Sequence, residues 1–221
     1  MRKFFLIITL VIFSLVGNAQ SKLGLKFSPV ISSNRVSLVD SLYDITSNSS
    51  NGTFSIGLIY DHQITETYFL STGLIFLPKK TSFTVSSEDT NGSLPSGINP
   101  REAYKLQYLQ IPVTLKLFTN EVMPDGRVFF QVGTALELLV NNEPIKEDYD
   151  MVKDFRNVDF SVILGGGFEY RAGINTTLFV EVSYQRGLVN QIRTLPKVGN
   201  FPQEELFIRS NIVSIDFGIK F

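Results

Sequence analysis

The sequence has no cysteine, one histidine, and no apolar run beyond residue 20 that approaches the length of a membrane-spanning helix. Without cysteine there is neither a thiol for a lipoprotein anchor nor a disulfide framework. With His62 alone, transition metals lack ligands, and only oxygen-ligand calcium in a loop remains to be considered. Excess positive charge is missing too. With Arg2 and Lys3 set aside as part of the N-terminal segment, 18 basic side chains stand against 21 acidic ones, a formal charge near −3. That balance argues against nucleic acid as a partner.

What is present begins with an export signal. Arg2 and Lys3 form a basic n-region, Phe4 to Val16 is apolar except for Thr9 and Ser14, and Gly17-Asn18-Ala19 supplies small residues for a signal peptidase. The apolar run of 13 residues is short of the ~20 needed to span a bilayer. Residues 1–20 therefore read as a cleaved leader, and 21–221 as one domain of about 201 residues. Such a chain can live in a membrane only as a closed barrel.

The domain is a series of short segments with period-2 alternation, the pattern of strands with two unlike faces. The clearest is the last, where Val213, Ile215, Phe217, Ile219 and Phe221 alternate with Ser214, Asp216, Gly218 and Lys220. Leu178, Val180, Val182 and Tyr184 oppose Thr177, Phe179, Glu181, Ser183 and Gln185; Phe160, Val162, Leu164, Phe168 and Tyr170 oppose Asp159, Ser161, Gly165, Gly167, Glu169 and Arg171. Val128, Phe130, Val132, Leu136 and Leu138 oppose Gln131, Gly133, Ala135 and Glu137. Leu109 to Leu117, Tyr68 to Phe76, Phe54 to Tyr60 and Leu23 to Phe27 repeat the scheme, for eight strands in all.

Alternation alone fits a soluble sandwich, a lipocalin-like barrel or a membrane barrel. Connector length separates them. On one side the connectors span 62–66, 119–126 and 172–175; on the other they span about 32–52, 79–102, 141–157 and 188–206. Short turns at one rim and long loops at the other are the arrangement of outer-membrane barrels. The glycines give the same answer. Gly24, Gly57, Gly73, Gly133, Gly165, Gly167 and Gly218 share phase with the charges, which suits the narrow bore of an eight-stranded barrel. The uncharged faces end in aromatics, Tyr60, Tyr68 and Tyr170 at the short-turn rim and Phe54, Phe76, Phe160 and Tyr184 at the other, as membrane girdles do. The fold class is thus all-β, an eight-stranded antiparallel up-and-down transmembrane barrel of the outer membrane, crossing it many times.

Some residues resist the scheme. Pro112 lacks a ladder donor and predicts a bulge. Tyr104, Leu106 and Tyr108 are out of phase with Leu109 onward, which predicts another near Gln107. Ile59, Ile75, Ile163 and Phe179 fall on the lumen face and argue for a plugged interior over an aqueous pore.

Tyr108-Leu109-Gln110-Ile111-Pro112-Val113-Thr114-Leu115-Lys116 resembles the central motif of the Bacteroidetes outer-membrane β-barrel domain, the PorT-like family of barrels related in architecture to OmpA and OmpX. Gly165 to Tyr170, Tyr184 to Leu188 and Ile215 to Phe221 are similar to it as well, so the resemblance spans the mature chain. It implies a C-terminal signal, here Phe217, Ile219 and Phe221, read by the barrel-assembly machinery. A few family members resemble accessory components of type IX secretion.

No catalytic, cofactor or metal site is expected. Acyl chemistry needs a nucleophile, a base and an orienting acid, and His62 lies in the periplasmic turn, away from the outer leaflet. Ser87 to Gly92 has oxygen donors without the spacing of a calcium loop. The inward charges carry the most weight: Lys26, Lys116, Arg171 and Lys220 against Asp61, Glu137, Glu169, Glu181 and Asp216. They read as ion pairs that fill the bore, with a gated ion path as the alternative. Expected partners are outer-membrane lipid and lipopolysaccharide, and a protein bound at the extracellular loops. Asn141 to Asn157 is expected to hold a short amphipathic helical turn, and Asp40-Ser41-Leu42 resembles a Bacteroidetes O-glycosylation acceptor.

Overall fold

The computed structural model describes residues 21–38, 43–47, 51–87, 101–145, 152, 154–194 and 206–221. The expected leader at 1–20, the motif Asp40-Ser41-Leu42 and the stretch 88–92 lie outside the described residues. The strands are β1 (Ser21–Leu38), β2 (Tyr43–Ser47), β3 (Asn51–Gln63), β4 (Tyr68–Ser87), β5 (Arg101–Met123), β6 (Gly126–Pro144), β7 (Asp154–Phe155), β8 (Val158–Arg171), β9 (Thr177–Gly187), β10 (Ile192–Thr194) and β11 (Leu206–Lys220).

Hydrogen bonding runs β4-β3-β1-β11-β9-β8-β6-β5 and returns from β5 to β4, so eight antiparallel strands close a ring. Closure leaves none of these eight strands as the edge of an open sheet. Across the seam between the first and last strands, Phe221 N–H donates to the Leu23 carbonyl at 2.8 Å, and Leu23 N–H to the Phe221 carbonyl at 3.2 Å. The short β2 pairs with the far end of β4, Ser47 opposite Phe83, beyond the last β3–β4 pair of Ile56 with Phe76. β7 and β10 form a separate patch. The short connections at one rim fall at 64–67, Pro124-Asp125 and 172–176. Each lies where a short turn is expected, but the second is much tighter than the expected 119–126 because β5 runs to Met123. Asp125 takes a φ of 61°, the left-handed backbone that a tight turn after proline requires and that aspartate tolerates.

The opposite rim differs from expectation. The connectors expected at 32–52, 79–102 and 141–157 are in part sheet, because β1 runs to Leu38, β4 to Ser87, and β6 to Pro144. β5 alone has 23 residues; at ~3.3 Å per residue that is about 75 Å, well beyond the ~9–11 residues a crossing needs. The wall continues because its inner face stays packed: Leu77, Phe83, Tyr104, Leu106, Tyr108 and Ile208 form one buried cluster there. The helical turn expected within 141–157 falls largely on 146–151 and 153, outside the described residues. Of the described part of that stretch, 141–144 belong to β6 and Asp154–Phe155 pairs with β10. Phe155 is buried against the Tyr104 ring, edge to face at 5.1 Å, so this patch packs into the inner cluster at the upper end of the bore.

Of the two irregularities predicted in β5, the one at Pro112 is absent and the one near Gln107 is present, but on the neighbouring strand. At Pro112 the pairing with β6 continues without an extra residue, Pro112 opposite Ala135. Near Gln107 the extra residue is Val140 on β6, since Gln107 faces Asn141 while Tyr108 faces Leu139. β5 itself never changes phase. Tyr104, Leu106 and Tyr108 point inward with Gln110, and what changes at that level is the content of the bore, from polar to aromatic.

Burial is inverted relative to a water-soluble protein. Polar side chains fill the inside, while Leu58, Leu74, Val113, Phe130, Leu164, Val182 and Ile215 are all exposed on the outer wall. A continuous apolar belt of that kind is a lipid-facing surface. Among the described residues no helix is long and apolar enough to cross a membrane; the strands do it.

Candidate functional site: the barrel lumen

Three polar layers fill the bore from the short-turn rim upward. In the lowest, Lys220 bridges Asp61 at 2.5 Å and Glu169, while Lys116 pairs with Asp61 at 3.2 Å. Ser71 donates to the same Asp61 carboxylate at 2.5 Å. Phe179 on β9 serves both cations, its ring centroid 4.9 Å from Lys220 Nζ and 5.6 Å from Lys116 Nζ. Below them Phe69, Phe118 and Phe129 form an inner aromatic cluster.

The middle layer joins Lys26 to Asp216 at 2.8 Å across the seam, and Ser183 donates to Asp216 at 3.3 Å. Gln131 Nε2 donates to Glu181, and Thr114 donates to the Gln131 carbonyl oxygen at 3.2 Å. Glu181 has no ion-pair partner among the described residues, although it is 3 % exposed. The upper layer centres on Lys79, which pairs with Glu137 and with Asp159 at 3.7 Å. Gln110 and Gln185 both donate to Glu137, and Gln110 donates to the Gln185 carbonyl oxygen at 2.8 Å. The Tyr108 ring lies under Lys79, 4.6 Å from Nζ to centroid.

Eight of the nine charges expected inside are therefore brought together. Arg171 is the exception. It keeps the inward phase but sits at the short-turn rim, where its side chain is 53 % exposed and only 4.0 Å from Asp125. At a rim the bore opens to water, so phase no longer implies burial. Lys79 and Asp159 belong to the network and were not expected there. Pro78 followed by two lysines reads as a loop start, yet odd-numbered β4 residues continue the inward phase of Ser71 and Ile75 through Lys79. His62 is not in a turn: it lies on β3, paired with Ser21 and Leu70 and stacked on Tyr60 at 6.4 Å.

Ile59, Ile75, Ile163 and Phe179 point into the bore and are buried. Where Gly24 faces the lumen, a Cβ would lie 2.6 Å from the Ile219 carbonyl and 2.9 Å from the Lys220 side chain. The inner wall has no room there. A cavity of about 40 Å³ remains at mid-height, bordered by Lys26, Lys116, Gln131, Glu181 and Asp216 among others. It holds about three water molecules at most. Among the described residues no group of three acidic or histidine side chains is placed to hold a metal ion.

Comparison with known proteins agrees with this architecture. The sequence model of the outer membrane protein beta-barrel domain matches residues 18–193. No curated protein sequence matches the chain. Among solved structures, the outer membrane protein OprG of Pseudomonas aeruginosa superposes with a TM-score of 0.60 at 10% identity, over 92% of this chain and 96% of OprG. Neisserial surface protein A gives a TM-score of 0.49 at 13% identity, over 92% of this chain and 99% of its own. The first of these likenesses carries the fold, and at such identity the fold is all it carries.

Proposed function

Because this chain belongs to the outer membrane protein beta-barrel domain family, we propose that it is a non-catalytic, non-conducting barrel that displays a rigid collar and loops for a protein partner at the surface of a Gram-negative cell. One observation carries the reading. The bore is filled twice over, by lysine–carboxylate layers and then by an aromatic cluster capped by Phe155, while the wall rises beyond the apolar belt as ordered sheet. A filled bore and a wall that continues above the belt support a displayed collar in preference to a pore. Loops held on a rigid scaffold are the usual seat of recognition.

The narrower kinship with PorT-like Bacteroidetes barrels rests on Tyr108 to Lys116 and its companions, and would make the partner part of a secretion or surface machinery. Phe217, Ile219 and Phe221, which end the outer face of β11, are the assembly signal in this reading.

Planar bilayers test it. The reconstituted protein is expected to show no stable open level, because an entering ion would have to break pairs held at low dielectric. The cavity beside Glu181 favours a second reading, a narrow channel. Steady single-channel currents whose selectivity changes in Lys116→Met or Glu181→Gln would replace the scaffold with that channel. Affinity capture of the native protein from its own outer membrane names the partner; a barrel recovered alone sinks the partner reading.

A further inference from the structure

We propose that Arg35, Arg186 and Arg209 form a binding site for the phosphorylated headgroup of a lipid in the outer leaflet. The three lie on neighbouring strands of the outer wall. Arg35 on β1 is directly opposite Arg209 on β11, and Arg186 on β9 is opposite Asn211, two positions from Arg209 on the same face. Arg186 and Arg209 are exposed and Arg35 is half-buried.

Like charges directly opposite each other in a sheet destabilise it. Elsewhere on the collar such a pair is offset: Lys80 faces Lys105 across β4 and β5, but Lys105 faces Glu143 on its other side. The arginines have no such offset. Among the described residues none of them has a carboxylate partner. Arg35 is held in place by neutral acceptors instead, its Nε donating to Asn211 Oδ1 at 3.1 Å and its Nη2 to the Gly187 carbonyl at 2.9 Å. A guanidinium fixed in this way, beside two free ones, is a preformed fork for a phosphate.

Height selects the source of that phosphate. On these strands Ile31, Val213 and Tyr184 are the last apolar residues of the outer wall before the arginines. Arg186 follows Tyr184 by two residues, about 6–7 Å along the strand. Arg35 and Arg209 lie four residues beyond Ile31 and Val213, about 13 Å along strands that tilt ~35–45°. The headgroup layer beyond the hydrocarbon is ~5–8 Å thick on each side. Arg186 therefore stands at the level of lipid phosphates on the long-loop side, and Arg35 and Arg209 just above it, from where long side chains reach back to the interface. A site for a soluble anion would instead face the mouth.

The test uses the folded chain in phosphatidylcholine nanodiscs, with native mass spectrometry counting bound lipid. Three probes are compared: a bis-phosphorylated glucosamine lipid, the same lipid with its phosphates removed, and inorganic phosphate. The phosphorylated lipid is expected to bind at least tenfold tighter than either of the others. Arg35→Gln/Arg186→Gln/Arg209→Gln is expected to abolish that preference, and Lys80→Gln/Lys105→Gln to retain it. Should the triple variant not fold, Arg186→Gln alone, expected to weaken binding about threefold to fivefold, decides the matter. Equal binding of the phosphate-free lipid, or unchanged binding in the arginine variants, overturns the site. Inorganic phosphate binding as tightly as the lipid overturns the lipid assignment.

Discussion

Neighbouring residues on one strand meet opposite solvents in this molecule, and substitutions expose the difference. Val180 faces lipid near the middle of the belt, so Val180→Arg is expected to cost roughly 2–4 kcal/mol in urea unfolding from lipid vesicles. Glu181, one residue on, faces the lumen, where its partner is the Gln131 amide. Glu181→Gln keeps the shape and loses no ion pair among the described residues, so it is expected to be much milder. Equal costs at the two positions would refute the assignment of faces. Lys79 is a harsher case. It is 1 % exposed and stands between Glu137 and Asp159. Lys79→Met leaves two buried carboxylates without their cation, expected to cost about 3–5 kcal/mol, since breaking a buried pair from one side strands the other charge. Adding Glu137→Gln is expected to restore part of that loss, and strictly additive losses in the double-mutant cycle would show that the two do not interact.

At the scale of elements, the inner wall is set by how closely strands and lumen residues approach. A Cβ on Gly57 would meet the Leu74 carbonyl oxygen at 2.6 Å and Ile75 Cα at 2.7 Å, whereas one on Gly52 of the same strand meets nothing within 4 Å. Gly57→Val is therefore expected to reduce the fraction that closes, seen as loss of the fast-migrating band on unheated gels, and Gly52→Val to leave it intact. The positions of the strands within the membrane were legible because lipid and lumen impose opposite polarity on alternate residues. The upper ends were not. Above the membrane both faces meet mixed surroundings, and Pro78 followed by Lys79 and Lys80 carries the composition of a loop while belonging to β4. Inward phase was also readable for all nine charges, and for eight of them it meant a place inside the bore, but their pairing was not readable. Lys79 meets Glu137 across 58 positions and Lys220 meets Glu169 across 51, and such encounters depend on ring closure and register. The arginine cluster was hidden for the same reason, since Arg35 and Arg209 become neighbours only at the seam.

For the whole molecule, a closed ring of eight strands predicts that the mature protein fractionates with the outer membrane and runs faster on gels before heating than after. Recovery of the folded form in the soluble periplasm would instead indicate a lipocalin-like carrier. The ring has one joint unlike the others. Hairpin neighbours find each other across fewer than twenty connecting residues, but Lys26 and Asp216 are 190 positions apart. Closing so long a loop costs about 2–3 kcal/mol more chain entropy than closing a ten-residue one. The joint should therefore form last, after the seven hairpin-like pairings have been made. Contacts made after the rate-limiting step act on the reverse reaction. Lys26→Met is accordingly expected to leave the rate of insertion nearly unchanged and to speed opening, so that the barrel's lifetime, more than its speed of assembly, is governed by a single pair of strands.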